Sequence, residues 1–258
     1  MDTLDDGLFY SETIHAFIGS TESIVGKSYP SNVVWDHDKT QRFITTLSSY
    51  KNDIDDETRA WRYNEGQNKN NLVSFVRNLT DQYSKLLFVG VDLKYARETS
   101  HLVTIDDFNR HMKKIRELIS NKATCFEHLQ GYAWALEQGG ESGGLHCHLL
   151  LIYNGSERQK DYYLGKEVGE KWQGITGGLG TYYNWNDSSN KRKFEGKGLL
   201  GIGMIHRNNP LQVENAVRVA SYLTKTDKCE QQLKLWLPNM RTFGRGQFDV
   251  SWRRGIER

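Results

Sequence analysis

The chain has 258 residues, enough for one large domain or for a domain plus an extension. With 37% hydrophobic residues, 10 Phe, 13 Tyr and 7 Trp but only 3 Pro, it can build a core, and wholesale disorder is excluded. Formal net charge is only +2, yet residues 1–60 hold 11 acidic and 5 basic residues, so positive charge concentrates in residues 61–258. That distribution fits a nucleic-acid footprint, and equally an ordinary basic domain behind an acidic arm. Cys125, Cys147 and Cys229 are odd in number and widely spaced, which points to a reduced, cytoplasmic protein rather than a disulfide scaffold. Neither a signal peptide nor an apolar run of membrane-spanning length is found, so no membrane partner is expected.

Residues 1–70 show short apolar clusters broken by Gly, Pro and acidic runs, and read as a mostly helical N-terminal extension of unassigned role. The domain proper is expected over 71–258. Leu72, Phe75, Val76, Leu79 and Tyr83 repeat with helical spacing. Leu86–Leu93 is nearly all apolar and reads as a central strand. Thr104 and Asp107 form a capping-box pattern opening a helix through Phe108, Met112, Ile115 and Ile119. A second strand from Gly131 to Gln138, the turn Gly139–Gly144 and a third strand form a hairpin. A helix from about Lys160 to Trp172, a Gly- and aromatic-rich stretch, a short strand near Ile202–His206 and a helix from about Leu211 to Lys228 complete the pattern. Strands and helices in this order predict an α+β domain built on an antiparallel sheet.

The third strand, Gly144-Leu-His-Cys-His-Leu-Leu-Leu-Ile-Tyr153, carries His146 and His148. Residues i and i+2 of a strand share one face, so both imidazoles project side by side as a two-nitrogen chelate requires. If the hairpin loop is Gly139–Gly144, Glu137 lies opposite His146, and the three converge on one point. A slip of one residue would bring Gln138 there instead. Two imidazoles and a carboxylate leave room for water and phosphate oxygens, which suits Mn²⁺ or Mg²⁺ better than a closed zinc site. In the last helix Val213, Ala216, Val217, Ala220 and Leu223 form the apolar stripe, with Tyr222 on the opposite side among Arg218 and Lys225. A phenol between cations and a metal-held phosphate is favoured as its reactive anion. Tyr182, Tyr183 and Trp185, followed by Lys191, Arg192 and Lys193, read as one long loop that stacks bases and neutralises phosphates of single-stranded DNA.

Gly-Leu-His-Cys-His-Leu-Leu-Leu and Tyr222-Leu-Thr-Lys225 resemble the second and third motifs of the HUH endonucleases, the His-hydrophobe-His nickases that start rolling-circle replication. Trp172-Gln-Gly-Ile-Thr-Gly-Gly, Ser221-Tyr-Leu-Thr-Lys-Thr-Asp and Arg241-Thr-Phe-Gly-Arg resemble filamentous-phage replication initiators and their prophage relatives of the YagK/YfjJ type. The resemblance spans about residues 70–250. It implies a central antiparallel sheet of about five strands and metal-assisted nicking of single-stranded origin DNA in a bacterial cytoplasm. Tyr222 would form a five-prime phosphotyrosine, Lys225 would orient the phosphate or the phenol, and a host helicase and polymerase would be partners. Arg218 and Thr226 stand where two-tyrosine relatives carry a second phenol, so the resemblance is to a single-tyrosine enzyme. A mobilisation relaxase, a single-strand transposase and a non-catalytic DNA-binding regulator are the rival readings. Gly196-Lys-Gly-Leu-Leu-Gly201 formally matches a dinucleotide fingerprint, but it follows a basic segment and precedes a stretch where no helix can readily open.

Overall fold

A computed structural model describes residues 4–26, 28, 30–139, 144–224 and 229–248. In chain order the elements are β1 (Phe9–Tyr10), α1 (Glu12–Val25), α2 (His37–Ser49), α3 (Lys51–Gln82), β2 (Lys85–Tyr95) and α4 (Ile105–Ser120). Then come β3 (Leu129–Gln138), β4 (Leu145–Asn154), α5 (Asp161–Ile175), β5 (Gly180–Asn184) and α6 (Ser188–Glu195). They are followed by β6 (Gly203–His206), α7 (Pro210–Ser221), β7 (Leu235–Trp236) and β8 (Phe243–Arg245).

The main sheet has six antiparallel strands in the order β5-β2-β4-β3-β8, with β6 also pairing β2. A small second sheet joins β1 to β7. The sheet lies between two helical layers, because side chains alternate along each strand. On one face Leu87, Val89, Val91, Cys147, Leu149, Leu151, Trp134 and Leu136 pack against the apolar stripes of α4 and α5. On the other, Leu86, Phe88, Leu150, Ile152, Ala133 and Ala135 pack against α3 and α7. Both α4 and α7 begin at side-chain caps, Thr104 with its reciprocal partner Asp107 and Asn209 just before Pro210, which satisfy orphan amides of the first turn.

Three differences from the sequence expectation bear on function. First, α3 is one helix of 32 residues that continues through residue 70, where the extension is expected to end. Its second half puts Leu72, Phe75, Val76 and Leu79 into the core. Second, residues 180–195 are not a long loop. Tyr182 and Tyr183 lie in β5, hydrogen-bonded to the edge of β2, and the basic residues lie on α6. A five-residue strand interrupted in polarity (Gly-Thr-Tyr-Tyr-Asn) has no clear alternation, so periodicity alone misses it. Third, α7 stops at Ser221 rather than continuing to Lys228, and Tyr222–Thr224 tighten into a 3₁₀ turn. Among the described residues no helix is long and apolar enough to cross a membrane. Cys125 and Cys147 are buried free thiols.

Candidate metal centre and its clefts

At one end of the α3/α7 face, the apolar alternation of three neighbouring strands gives way to chemical residues. Leu86, Phe88 and Gly90 on β2 lead to Asp92; Ala133 and Ala135 on β3 lead to Glu137; Ile152 and Leu150 on β4 lead back to His148 and His146. The ladder places Glu137 opposite His146, and Asp92 opposite His148. The register expected from the hairpin is therefore the observed one. Gln138 belongs to the opposite face and its Oε1 accepts the backbone N–H of Lys234 at 2.9 Å, so Glu137 is the acidic member of the group.

Glu137, His146 and His148 are all buried, and one ligand atom from each lies within 4.8 Å of the others. Glu137 Oε2 stands 3.5 Å from His146 Nε2 and 3.2 Å from His148 Nε2. The outer nitrogens define the protonation. His146 Nδ1 lies 3.1 Å from the Gly144 carbonyl oxygen, and His148 Nδ1 lies 2.6 Å from Asp92 Oδ1. A carbonyl and an ionised carboxylate only accept, so each Nδ1 carries its hydrogen and donates. In the neutral rings both Nε2 lone pairs then aim toward the Glu137 carboxylate. Two lone pairs and an anion gathered in a buried space need either a shared proton or a cation. The donor set thus fits a metal ion, held by Glu137, His146 and His148.

Asp92 was not singled out from the sequence, although a lone acid in the otherwise apolar run Leu86–Leu93 was the available signal. It anchors His148 and also accepts the indole N–H of Trp185 at 2.8 Å. Burial works against charge on His148, but the hydrogen bonds to Asp92 and Glu137 outweigh it and raise the imidazole above its ordinary value. Without metal, those contacts stabilise the fold fully below the unfolded imidazole value of about 6.5, and that stabilisation fades as pH rises through the higher folded value. Metal competes with the same proton, so its dependence runs the other way. Mn²⁺ affinity, measured by calorimetry, is expected to be weak at acidic pH and to keep strengthening above about pH 6.5. An affinity independent of pH between 6 and 8 would contradict this. Asp92→Asn removes the charge that would make His148 a strong ligand, and a 10- to 100-fold weaker Mn²⁺ affinity is expected with the fold retained; unchanged calorimetric affinity would exclude the role.

Gly90 makes room for the other wall. A Cβ there would sit 2.0 Å from the Trp185 ring, so the indole lies directly against the β2 backbone. Trp185 in turn faces His148 at 6.2 Å and Tyr222 at 6.3 Å between ring centroids. Tyr222 stands edge-on to His148 with centroids 5.6 Å apart, at the point where α7 gives way to the 3₁₀ turn, and is 38% exposed. The phenol ring is thus gathered beside the triad although 74 residues separate it from His148 in the sequence. A cleft of about 470 Å³ opens there, lined by Asp92, Tyr183, Trp185, Phe194, Arg218 and Tyr222.

The remaining expected DNA contacts divide. Arg218 is exposed and lines that cleft, and Tyr183 is 46% exposed at its edge. Arg192 and Lys193 are exposed on α6. Lys191 is half-buried and its Nζ is paired with Asp161 at 2.6 Å, which ties it to the fold rather than to a ligand. Trp185 is a wall of the site whose indole N–H is already used by Asp92. Lys225 lies outside the described residues, as does Thr226. The discarded glycine motif follows α6 with Gly196 as its C-cap, so no helix N-terminus faces it.

Fold and site together define an α+β protein whose buried carboxylate–dihistidine triad could hold a metal ion and lies beside an accessible tyrosine. Residues 50–246 match the YagK/YfjJ C-terminal domain, and the chain belongs to that family. The match begins one residue before α3 and includes all of the main sheet. No curated protein and no solved structure matches the chain.

Proposed function

We propose that this chain nicks and rejoins single-stranded DNA at a specific site through Tyr222, with Mn²⁺ or Mg²⁺ at the triad, and so initiates rolling-circle replication. The observation that carries the reading is the Tyr222 ring packed against His148, beside a buried cluster that could hold a cation. A divalent ion bound there would polarise the scissile phosphodiester and offset the charge that builds up during attack. The chain's own residues do the rest. The phenol oxygen of Tyr222 bonds to phosphorus as the bond from phosphorus to the three-prime oxygen breaks. The phenol proton passes to solvent, and the departing oxygen takes up a proton to become a three-prime hydroxyl that can prime synthesis. The five-prime phosphate stays on Tyr222, and the reverse steps rejoin the strand. Arg218, in the same cleft, neutralises phosphate, and Lys225 follows in the adjoining segment. No Gly-x-x-x-x-Gly-Lys-Ser/Thr segment is present, so unwinding and synthesis fall to a host helicase and polymerase.

The test is incubation of wild type and Tyr222→Phe with Mn²⁺ and labelled single-stranded origin DNA, followed by denaturing electrophoresis. A covalent adduct in the wild type alone is expected. Adduct in both assigns the nucleophile elsewhere, and adduct in neither favours the regulator that binds DNA without cutting it.

A further inference from the structure

Behind the triad lies a second cleft, of about 370 Å³, that the nicking chemistry above does not use. Its volume falls within the range of roughly 300–1,000 Å³ typical of small-molecule sites. The first half of α3 forms one side, presenting Glu57, Trp61 and Glu65 at intervals of four residues and so on one helical face. Glu137, Leu223, Trp236, Met240 and Phe243 are among the other lining residues. The 3₁₀ turn separates the two clefts, with Tyr222 lining the first and Leu223 the second.

The lining is selective in a definite way. Three carboxylates border it, and among the described residues no Lys or Arg does. Phosphate is therefore repelled here, whereas the cleft holding Arg218 accepts it. Tryptophan and phenylalanine walls suit a flat ring, and acceptors between them suit a ring that carries N–H donors. Glu65 is half-buried between apolar walls, and its carboxylate accepts a hydrogen bond from Asn68 at 3.1 Å. A donor arriving from a ligand would relieve that position.

We propose that this cleft receives one unstacked nucleobase bearing an exocyclic amine, from the strand whose phosphodiester lies at the triad. The proposal rests on the single-strand DNA reading above and adds base selectivity to it. Cytosine, adenine and guanine present an amine to the carboxylates, whereas uracil and thymine present carbonyl oxygens that the carboxylates repel. The base is read by α3, outside the sheet that carries the ligands.

The probes are dye-labelled (dC)₁₂ and (dU)₁₂, whose bases differ chiefly in that amine, titrated by fluorescence anisotropy in EDTA so that nothing is cut. Wild type is expected to bind (dC)₁₂ about tenfold more tightly than (dU)₁₂, and Glu65→Leu to bring the two within about twofold. Trp61→Ala is expected to weaken (dC)₁₂ about tenfold, as loss of a stacking platform does. Equal binding of both oligonucleotides by wild type, or a preference that survives in Glu65→Leu, overturns the base pocket while leaving single-strand binding intact. Where Glu65→Leu fails to fold, unchanged (dC)₁₂ affinity in Trp61→Ala overturns it. Binding of neither oligonucleotide removes the single-strand reading and the pocket with it.

Discussion

Glu137→Ala is expected to lower nicking by more than about 100-fold at limiting Mn²⁺, beyond what loss of an outer partner of a ligand costs, while binding of single-stranded DNA is retained. The residue contributes the triad's one carboxylate, and its Oε2 lies within 3.5 Å of both ligand nitrogens. Removing it leaves two imidazoles facing an apolar void, with neither the negative charge nor the oxygen that a hard cation selects. It is also buried and anionic, so it makes no favourable contact with a phosphate backbone. Nicking rates across a Mn²⁺ titration, set beside anisotropy in EDTA, separate the two effects. Recovery of full rate by saturating Mn²⁺ would mean that Glu137 only tunes affinity. Full rate at limiting Mn²⁺ would remove it from the site.

Trp172→Ala is expected to cost about 3–5 kcal/mol, the range for emptying a large aromatic site in a core. The ring is fully buried where α5 meets β2, with its centroid 5.5 Å from that of Tyr95 and 6.0 Å from that of His111. Its indole N–H donates to the Lys94 carbonyl at 2.8 Å, so truncation removes a hydrogen bond as well as packing. Against a total stability of about 5–15 kcal/mol this is a large fraction. Calorimetry is expected to show a melting point lower by about 10 °C. Trp35→Ala, at a site 52% exposed, serves as the control and is expected to change stability by less than about 0.5 kcal/mol. Similar losses for the two would mean that the core assignment is wrong.

The parts of the fold legible in the sequence are those set by strong local periodicity. The α3 stripe from Leu72 to Leu79, the capped α4 and the existence of the β3–β4 hairpin rest on clear local spacing. The hairpin leaves Glu137 and Gln138 as alternatives opposite His146, and the observed register selects Glu137. Tyr222 was legible as a polar ring opposite an apolar stripe. The end of α7 was not, because the stripe continues to Leu223 after the helical hydrogen bonds tighten. Asp92 and its contact with Trp185 escaped notice for a different reason: the contact spans 93 positions and depends on Gly90 admitting an indole against the sheet. No local pattern encodes such a pairing. The same holds for α3, whose first half is polar enough to read as an appendage. It becomes part of a cleft only through β3 and through residues from Leu223 to Phe243, all remote in the sequence.

Between the two imidazoles sits Cys147, whose thiol is sealed on the far side of the sheet among Leu149, Leu151 and the α4 side chains. Neither histidine can swing outward without dragging that neighbour through close-packed atoms. The stretch of strand that carries both imidazoles is therefore held firmly, and any ion bound between them would meet an unyielding backbone.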